Sequence, residues 1–429
     1  MDKAAMRIDA MQTTLNYAKA NRLWAVAYGA TLLLPLMLIW ARVGMEICGG
    51  IIGLAFLFHS HHVKEWQWVR SPFTVLCFVA WAWLVFIVTP LAVTPFKGLV
   101  DALMWMRMPL MFLALRYWVL ALPQPRLTLA TVLAGLLVLI AIDCVVQFAT
   151  GTSLSGNPRL VSLRLTGPFN APKVGHFIGQ LAVPAIGLCL AAAVARQNTR
   201  AIVGCLGLLA VMMVTILLCG ERSAFLTLLM ASGVTMGLLM LAEPRLRKLG
   251  LLLAVVTLLG LGLLYCASAW IQERTEQTMD AIAHYQESDY GLLAMAGIDM
   301  GMAHPVHGVG VRGFRELCPE LPHKESSFKG LHPHNFFVEW FAEAGTVGLL
   351  LFLGLIGLLG REAMQQYRAQ DGLMKLLSAA ALGVLVQHYF PLMGMQSFFN
   401  NWSAALQWYG LALMFAALPV KTPARKPTK

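Results

Sequence analysis

Two groups of residues have the types and spacing that chemistry requires. The first is His334-Asn335 followed, after nine residues, by Gly345 and, after two more, by Gly348. They open an apolar run. Asn335 suits the N-cap of a helix there, because its side-chain oxygen can accept the first unsatisfied backbone N–H groups. At about 100° per residue, Gly345 and Gly348 fall within roughly 40° of His334, so a continuous helix carries all three on one face. The imidazole then stands at a membrane surface over a groove where glycines admit another helix or a lipid chain. The chemistry open to it is proton transfer. The plainer alternative is a capping Asn beside a solvated His above an ordinary packing seam. The second group is a set of cations, Arg164, Lys173, Arg222 and Arg312. An arginine fork matches two phosphate oxygens at once, so such a set suits a phosphorylated ligand. Pairing with an acid or with lipid headgroups is the commoner fate of any one of them. Arg222 stands out because it opens an apolar helix at a very short turn.

Other candidates weigh less. His332 with His334, and His304 with His307, lack acidic neighbours at metal-ligand spacing, so no metal is expected. Asp101, Arg107 and Asp143 lie within apolar runs, where charges are expensive and functional by default; the alternative is an Arg107–Asp143 pair that fixes helix packing. His59, His61 and His62 read as a solvated loop. Trp24, Trp40, Trp270 and Trp402 read as interfacial belts.

The elements that must position these residues are membrane helices. Of 429 residues, 58% are hydrophobic and only 12% charged, and the mean hydropathy is +0.68, which excludes a soluble enzyme. The apolar runs fall near 23–40, 43–58, 72–90, 99–115, 127–149, 174–195, 201–219, 223–242, 249–270, 335–359, 373–390 and 401–418. The expected fold is an all-α polytopic membrane protein of about twelve transmembrane helices, one membrane domain over 1–429. The net charge of +11 does not point to nucleic acid, because the basic residues cluster between apolar runs, as at Arg245, Arg247, Lys248 and at Lys421, Arg425, Lys426, Lys429. Their bias places both termini in the cytoplasm. Met1 to Arg22 reads as a cytoplasmic surface segment. The eight cysteines show no metal or disulfide spacing. One external segment, 271–334, is far longer than an ordinary connection. It contains an amphipathic stretch (Trp270 to Tyr285), an apolar patch (Tyr290 to Met302) and a glycine-rich turn (His307 to Phe314), and is expected to form a partly helical periplasmic cap over the bundle.

His-Asn-x9-Gly-x-x-Gly resembles the hallmark of the O-antigen ligase family, shared with O-antigen polymerases and protein O-oligosaccharyltransferases. Further resemblance lies in Arg164-Leu-Thr-Gly-Pro-Phe-Asn-Ala-Pro172, Gly220-Glu-Arg-Ser-Ala224 and His304-Pro-Val-His-Gly-Val-Gly310. Together these span roughly 150–360 in the family's order. One departure is that Ser288 to Met302 lacks the Arg and Trp that the family often carries before its Pro-Gly-x-Gly element. The resemblance implies an inner-membrane glycosyltransferase with no cofactor. Its donor is O-antigen polysaccharide on undecaprenyl diphosphate, and its acceptor a hydroxyl of the lipid A core oligosaccharide on the periplasmic side. His334 is then the general base, and Arg222 and Arg164, with Arg312 or Lys173, bind the departing diphosphate. Asn335, Gly345 and Gly348 are the structural part of the motif. A base on one face of the sugar and a diphosphate on the other implies inversion. Polymerisation and transfer to protein remain alternatives, though one dominant external loop favours ligation. A transporter or flippase is the competing class, against which stand the absence of an inverted repeat and the gathering of candidates on one side. A structural scaffold does not need a His at the head of a glycine face.

Overall fold

A computed structural model describes residues 17–160, 164–318, 332–391 and 396–419. The segment up to Asn16, the cluster at Lys421, Arg425, Lys426 and Lys429, and the Trp270 side chain lie outside the described residues. The described residues are mostly helical, with no sheet. Among the described residues the one β feature is an isolated bridge between Thr152 and Pro158. In order the helices are α1 (Arg22–Trp40), α2 (Arg42–Val63), α3 (Pro72–Leu91), α4 (Leu99–Trp105), α5 (Arg107–Ala114), α6 (Pro123–Thr150), α7 (Val174–Ala195), α8 (Thr199–Cys219), α9 (Arg222–Ala242), α10 (Leu246–Ala267), α11 (Ala269–Ala283), α12 (Asp289–Ala303), α13 (Gly313–Leu317), α14 (Phe336–Ala369), α15 (Gly372–Tyr389) and α16 (Asn401–Phe415).

Every expected apolar run is helical, and among the described residues nine helices are long and apolar enough to cross a membrane: α1, α2, α3, α6, α7, α8, α9, α10 and α14. The chain is a multi-pass membrane protein. The expected count of twelve exceeds this by the runs at 99–115, 373–390 and 401–418. The first breaks into α4 and α5, because Pro109 cannot donate to the carbonyl of Trp105 one turn back. The second forms α15, 18 residues long but less apolar, with Lys375 inside, and the third the 15-residue α16. Both are extensively buried by their neighbours, α15 although it is less apolar and α16 although it is short.

Helix starts follow side-chain caps. Ser71 precedes a proline at the head of α3 and accepts from Thr74 N–H, and Asn198, Ser268, Ser288 and Asn400 cap α8, α11, α12 and α16 in the same way. One continuous core runs through the bundle from Trp24 to Leu418. A second, small core lies under the 271–334 segment, where Leu293, Ala296 and Met300 of α12 meet Val309, Phe314 and Ala342. The amphipathic stretch and the apolar patch of that segment are thus α11 and α12. Gly297 and Gly301 let α12 lie directly on α14, since a Cβ at either would meet the Val338 or Phe341 side chain within 2.5 Å.

Three expectations are corrected. Arg107 does not pair with Asp143: it bonds Glu46 at 3.1 Å, while Asp143 accepts from Leu154 N–H and so ties the end of α6 to the following loop. Trp24 and Trp402 are not belt residues, for both are buried and donate to the backbone oxygens of Val119 and Leu38; Trp40 is 62% exposed, as a belt residue would be. His59, His61 and His62 lie on the last turns of α2 rather than in a loop, with His59 stacked on Trp118 at 4.5 Å.

Candidate active site

Asn335 caps α14 as its sequence position suggests. Its Oδ1 accepts from Phe337 N–H at 2.9 Å and Val338 N–H at 3.2 Å, and its Nδ2 donates to the carbonyl of Pro391 at 2.6 Å. His334 lies just outside the helix, with φ +54°. That left-handed conformation is uncommon for a residue with a side chain and marks a position held by its surroundings. Its ring meets Tyr290 edge-on at 5.1 Å and His332 at 3.9 Å between centroids. The head of α12 therefore places Tyr290 against the motif histidine.

The shared helix face expected for His334, Gly345 and Gly348 is not present, because α14 is not continuous. Gly345 has φ +71° and ψ −172°, and the helix kinks there. The break is filled by the segment carrying His304 to Arg312. Val309 N–H donates to Ala342 O at 2.8 Å, Gly310 N–H to Glu343 O at 3.1 Å, and Thr346 N–H to Pro305 O at 2.8 Å. Trp83 Nε1 of α3 donates to Ala344 O at 3.0 Å. Backbone groups released by the kink thus find partners, as buried groups in a membrane protein must. Glycine is required on both sides of the contact: a Cβ on Gly345 would lie 2.2 Å from Val306 O, and one on Gly308 would lie 2.5 Å from Ala344 N. Two motifs far apart in sequence are two halves of one joint.

The cations divide. Arg164, Lys173 and Arg222 gather where α7, α9 and α16 begin. Arg164 donates to Gly220 O at 3.5 Å, and its Nε is buried without an acceptor among the described residues. Arg222, the first residue of α9, donates to Thr278 Oγ1 of α11 at 3.4 Å. Lys173 precedes α7 and lies over the Trp402 ring at 4.5 Å. Between them Glu221 faces inward, accepting from Gly175 N–H at 2.8 Å and His176 N–H at 3.1 Å, which caps α7. Burial raises the Glu221 carboxyl above its ordinary value, opposed by the Gly175 N–H, by Arg164 and by the His176 N–H. Burial pulls the Lys173 ammonium below its ordinary value, and the nearby charge of Arg42 adds to this. Three helix N-termini and these cations make a field suited to a multivalent anion.

Arg312 belongs to another group. It pairs with Asp101 at 3.1 Å, its backbone N–H donates to Glu343 Oε2 at 2.7 Å, and Lys97 pairs with Glu316 at 2.7 Å beside it. With both signs of charge balanced, that group is not an anion receptor of the same kind. Pro391 and residues 397–402 lie between the motif and the cations: Asn335 donates to Pro391 O, Glu339 on the next turn of α14 accepts from Ser397 and from Phe398 N–H at 2.7 Å, and Trp402 underlies Lys173. Among the described residues no three His, Cys, Asp or Glu side chains gather as metal ligands would. Sequence reasoning missed Arg42, Glu221 and Glu339. Arg42 carried a legible signal, since like Arg222 it opens an apolar helix after a very short turn.

Residues 207–353 match the family described as O-antigen ligase. No curated protein matches the chain. A solved chain from "Structural coordination of polymerization and crosslinking by a peptidoglycan synthase complex" aligns over 80% of this chain and 96% of its own, with 17% identity and a TM-score of 0.45. The matched segment, about a third of the chain, holds Arg222, α11 to α13, His334, Asn335 and both motif glycines, and over that span the chain is similar to the O-antigen ligase family.

Proposed function

We propose that this protein transfers O-antigen polysaccharide from undecaprenyl diphosphate to a sugar hydroxyl of the lipid A core, at the end of the bundle that carries the 271–334 cap. The family match over 207–353 supports a glycosyltransferase of the O-antigen ligase or polymerase type. The observation that carries the mechanism is the gathering of Arg164, Lys173 and Arg222 at three helix starts, with Trp402 under Lys173 and Ser397 and Phe398 bonded to Glu339 one turn beyond the histidine at the head of α14. His334 removes the proton of the acceptor hydroxyl as the oxygen attacks the anomeric carbon, and the bond from that carbon to the diphosphate breaks. Arg222 and Arg164 take the charge that develops on the departing diphosphate, with Lys173 as third cation. Arg312, held by Asp101, lies outside this anion site. The lipid chain stays in the bilayer, and the reaction, on the periplasmic face, inverts the anomeric centre.

The test is transfer by the purified protein from lipid-linked glycan to lipid A core, with His334→Ala alongside. The expected result is glycan-bearing lipid A from the wild type and none from a variant that inserts and purifies normally. Donor glycans lengthened without any attachment to the core would make the protein a polymerase. Normal attachment by His334→Ala would remove that residue from the mechanism.

A further inference from the structure

At the opposite end of the bundle lies a cavity of about 590 Å³ that the proposed reaction does not use. Helices α3, α6, α15 and α16 each send one end to the candidate active site and the other to this cavity, so a membrane thickness separates the two. Its wall combines Arg70, Arg116 and Arg126 with a single lining carboxylate, Glu65. Arg116 is 4% exposed, bonds Glu362 with one terminal nitrogen, and keeps a buried Nε–H without an acceptor among the described residues. Trp118 lines the same cavity, and its indole N–H is likewise buried with no acceptor among the described residues. Two buried donors without acceptors are costly unless something supplies an oxygen. Arg126, by contrast, already donates to Ala416 O. The N-terminus of α3 at Ser71 and Pro72 adds its positive end to the wall.

We infer that this cavity binds the phosphate group of an anionic glycerophospholipid, with the phosphate oxygens accepting from Arg116 Nε–H and Trp118 Nε1–H and facing Arg70. Phosphate is the oxygen anion that satisfies divergent donors and a guanidinium together. A lipid is the natural carrier because the cavity lies at the ends of membrane helices and is lined by apolar Phe56, Trp68, Ala121 and Leu418 as well as by the arginines. Basic pockets between membrane helices take anionic headgroups in this way.

The experiment is native mass spectrometry and thermal unfolding of the full chain in detergent, with phosphatidylglycerol, with phosphatidylcholine and with inorganic phosphate. Arg116→Gln would leave Glu362 without its partner and could misfold, so the variants are Trp118→Phe, which keeps an aromatic ring against His59, and Arg70→Gln. Phosphatidylglycerol should be retained and should raise the melting temperature, phosphatidylcholine should do neither, and either substitution should weaken the effect about tenfold, as expected for one lost bond to a charged group. A shift produced equally by inorganic phosphate, and lost in the same variants, supports the phosphate site while assigning it a soluble source. Equal retention of both lipids, or variants that bind phosphatidylglycerol as the wild type does, would overturn the inference.

Discussion

Arg222 and Arg164 approach the same turn from different elements, and that difference sets what each substitution should do. Arg222 is fixed by the first turn of α9 and donates to Thr278, so its guanidinium is preorganised. Replacement by Lys keeps the charge but not the fork, and should cost nearly as much as replacement by Ala, about a hundred- to a thousandfold in transfer rate. Near wild-type transfer by Arg222→Lys would reduce Arg222 to a headgroup charge. Glu221 yields a test by pH. Its carboxyl is raised by burial, so its contribution to stability is full below the ordinary carboxylate value of about 4.3 and is lost as pH rises. Glu221→Gln sacrifices one acceptor at every pH but never ionises. The melting temperature of Glu221→Gln relative to wild type should therefore improve between about pH 4.5 and pH 7.5; a difference independent of pH would show that Arg164 and the two backbone donors already offset the burial. At this scale the sequence was informative about residue types and blind to pairing. The Asn335 cap was legible because a cap is local, whereas the fates of Arg107, Asp143 and Arg312 depend on helices distant in sequence.

The helix break at Gly345 shows how far periodicity carries an element. Hydropathy located α14, but a 100° repeat presumes an unbroken helix, and nothing local says that the chain will open to admit Val306 and His307. The one available signal was a glycine in each of two motifs, and each packs against the other's segment, Gly308 against Ala342 to Ala344 and Gly345 against Val306 and His307. Within the same helix Gly357 has nothing within 4 Å of where its Cβ would stand. Gly357→Ala should be neutral or stabilising by up to about 1 kcal/mol. Gly345→Ala adds a left-handed backbone cost of about 1–3 kcal/mol to a collision with the Val306 carbonyl. Melting temperatures of the two variants in detergent check this, and equal stability would mean that the joint is dispensable. Loss of transfer by Gly345→Ala should accompany loss of stability, because the joint fixes the cap on α14 directly after the turns that follow His334.

On the scale of the molecule, the bundle was legible because the bilayer demands long apolar helices; the departure from twelve came from the break at Pro109 in the 99–115 run and from α15 and α16, which neighbours bury and where hydropathy or length is relaxed. The bundle turns the starts of α7, α9, α14 and α16 toward one end, where the proposed mechanism has cations and helix N-termini act on one anion. In the proposed mechanism this field does the work that a divalent ion does in other glycosyltransferases. It is tested most directly by measuring transfer with the purified protein, lipid-linked glycan and lipid A core in excess EDTA, without nucleotide. The expected rate is unchanged by chelation in the wild type and lost in Arg222→Ala whether or not magnesium is present. Loss of transfer on chelation, restored by magnesium or manganese, would contradict it.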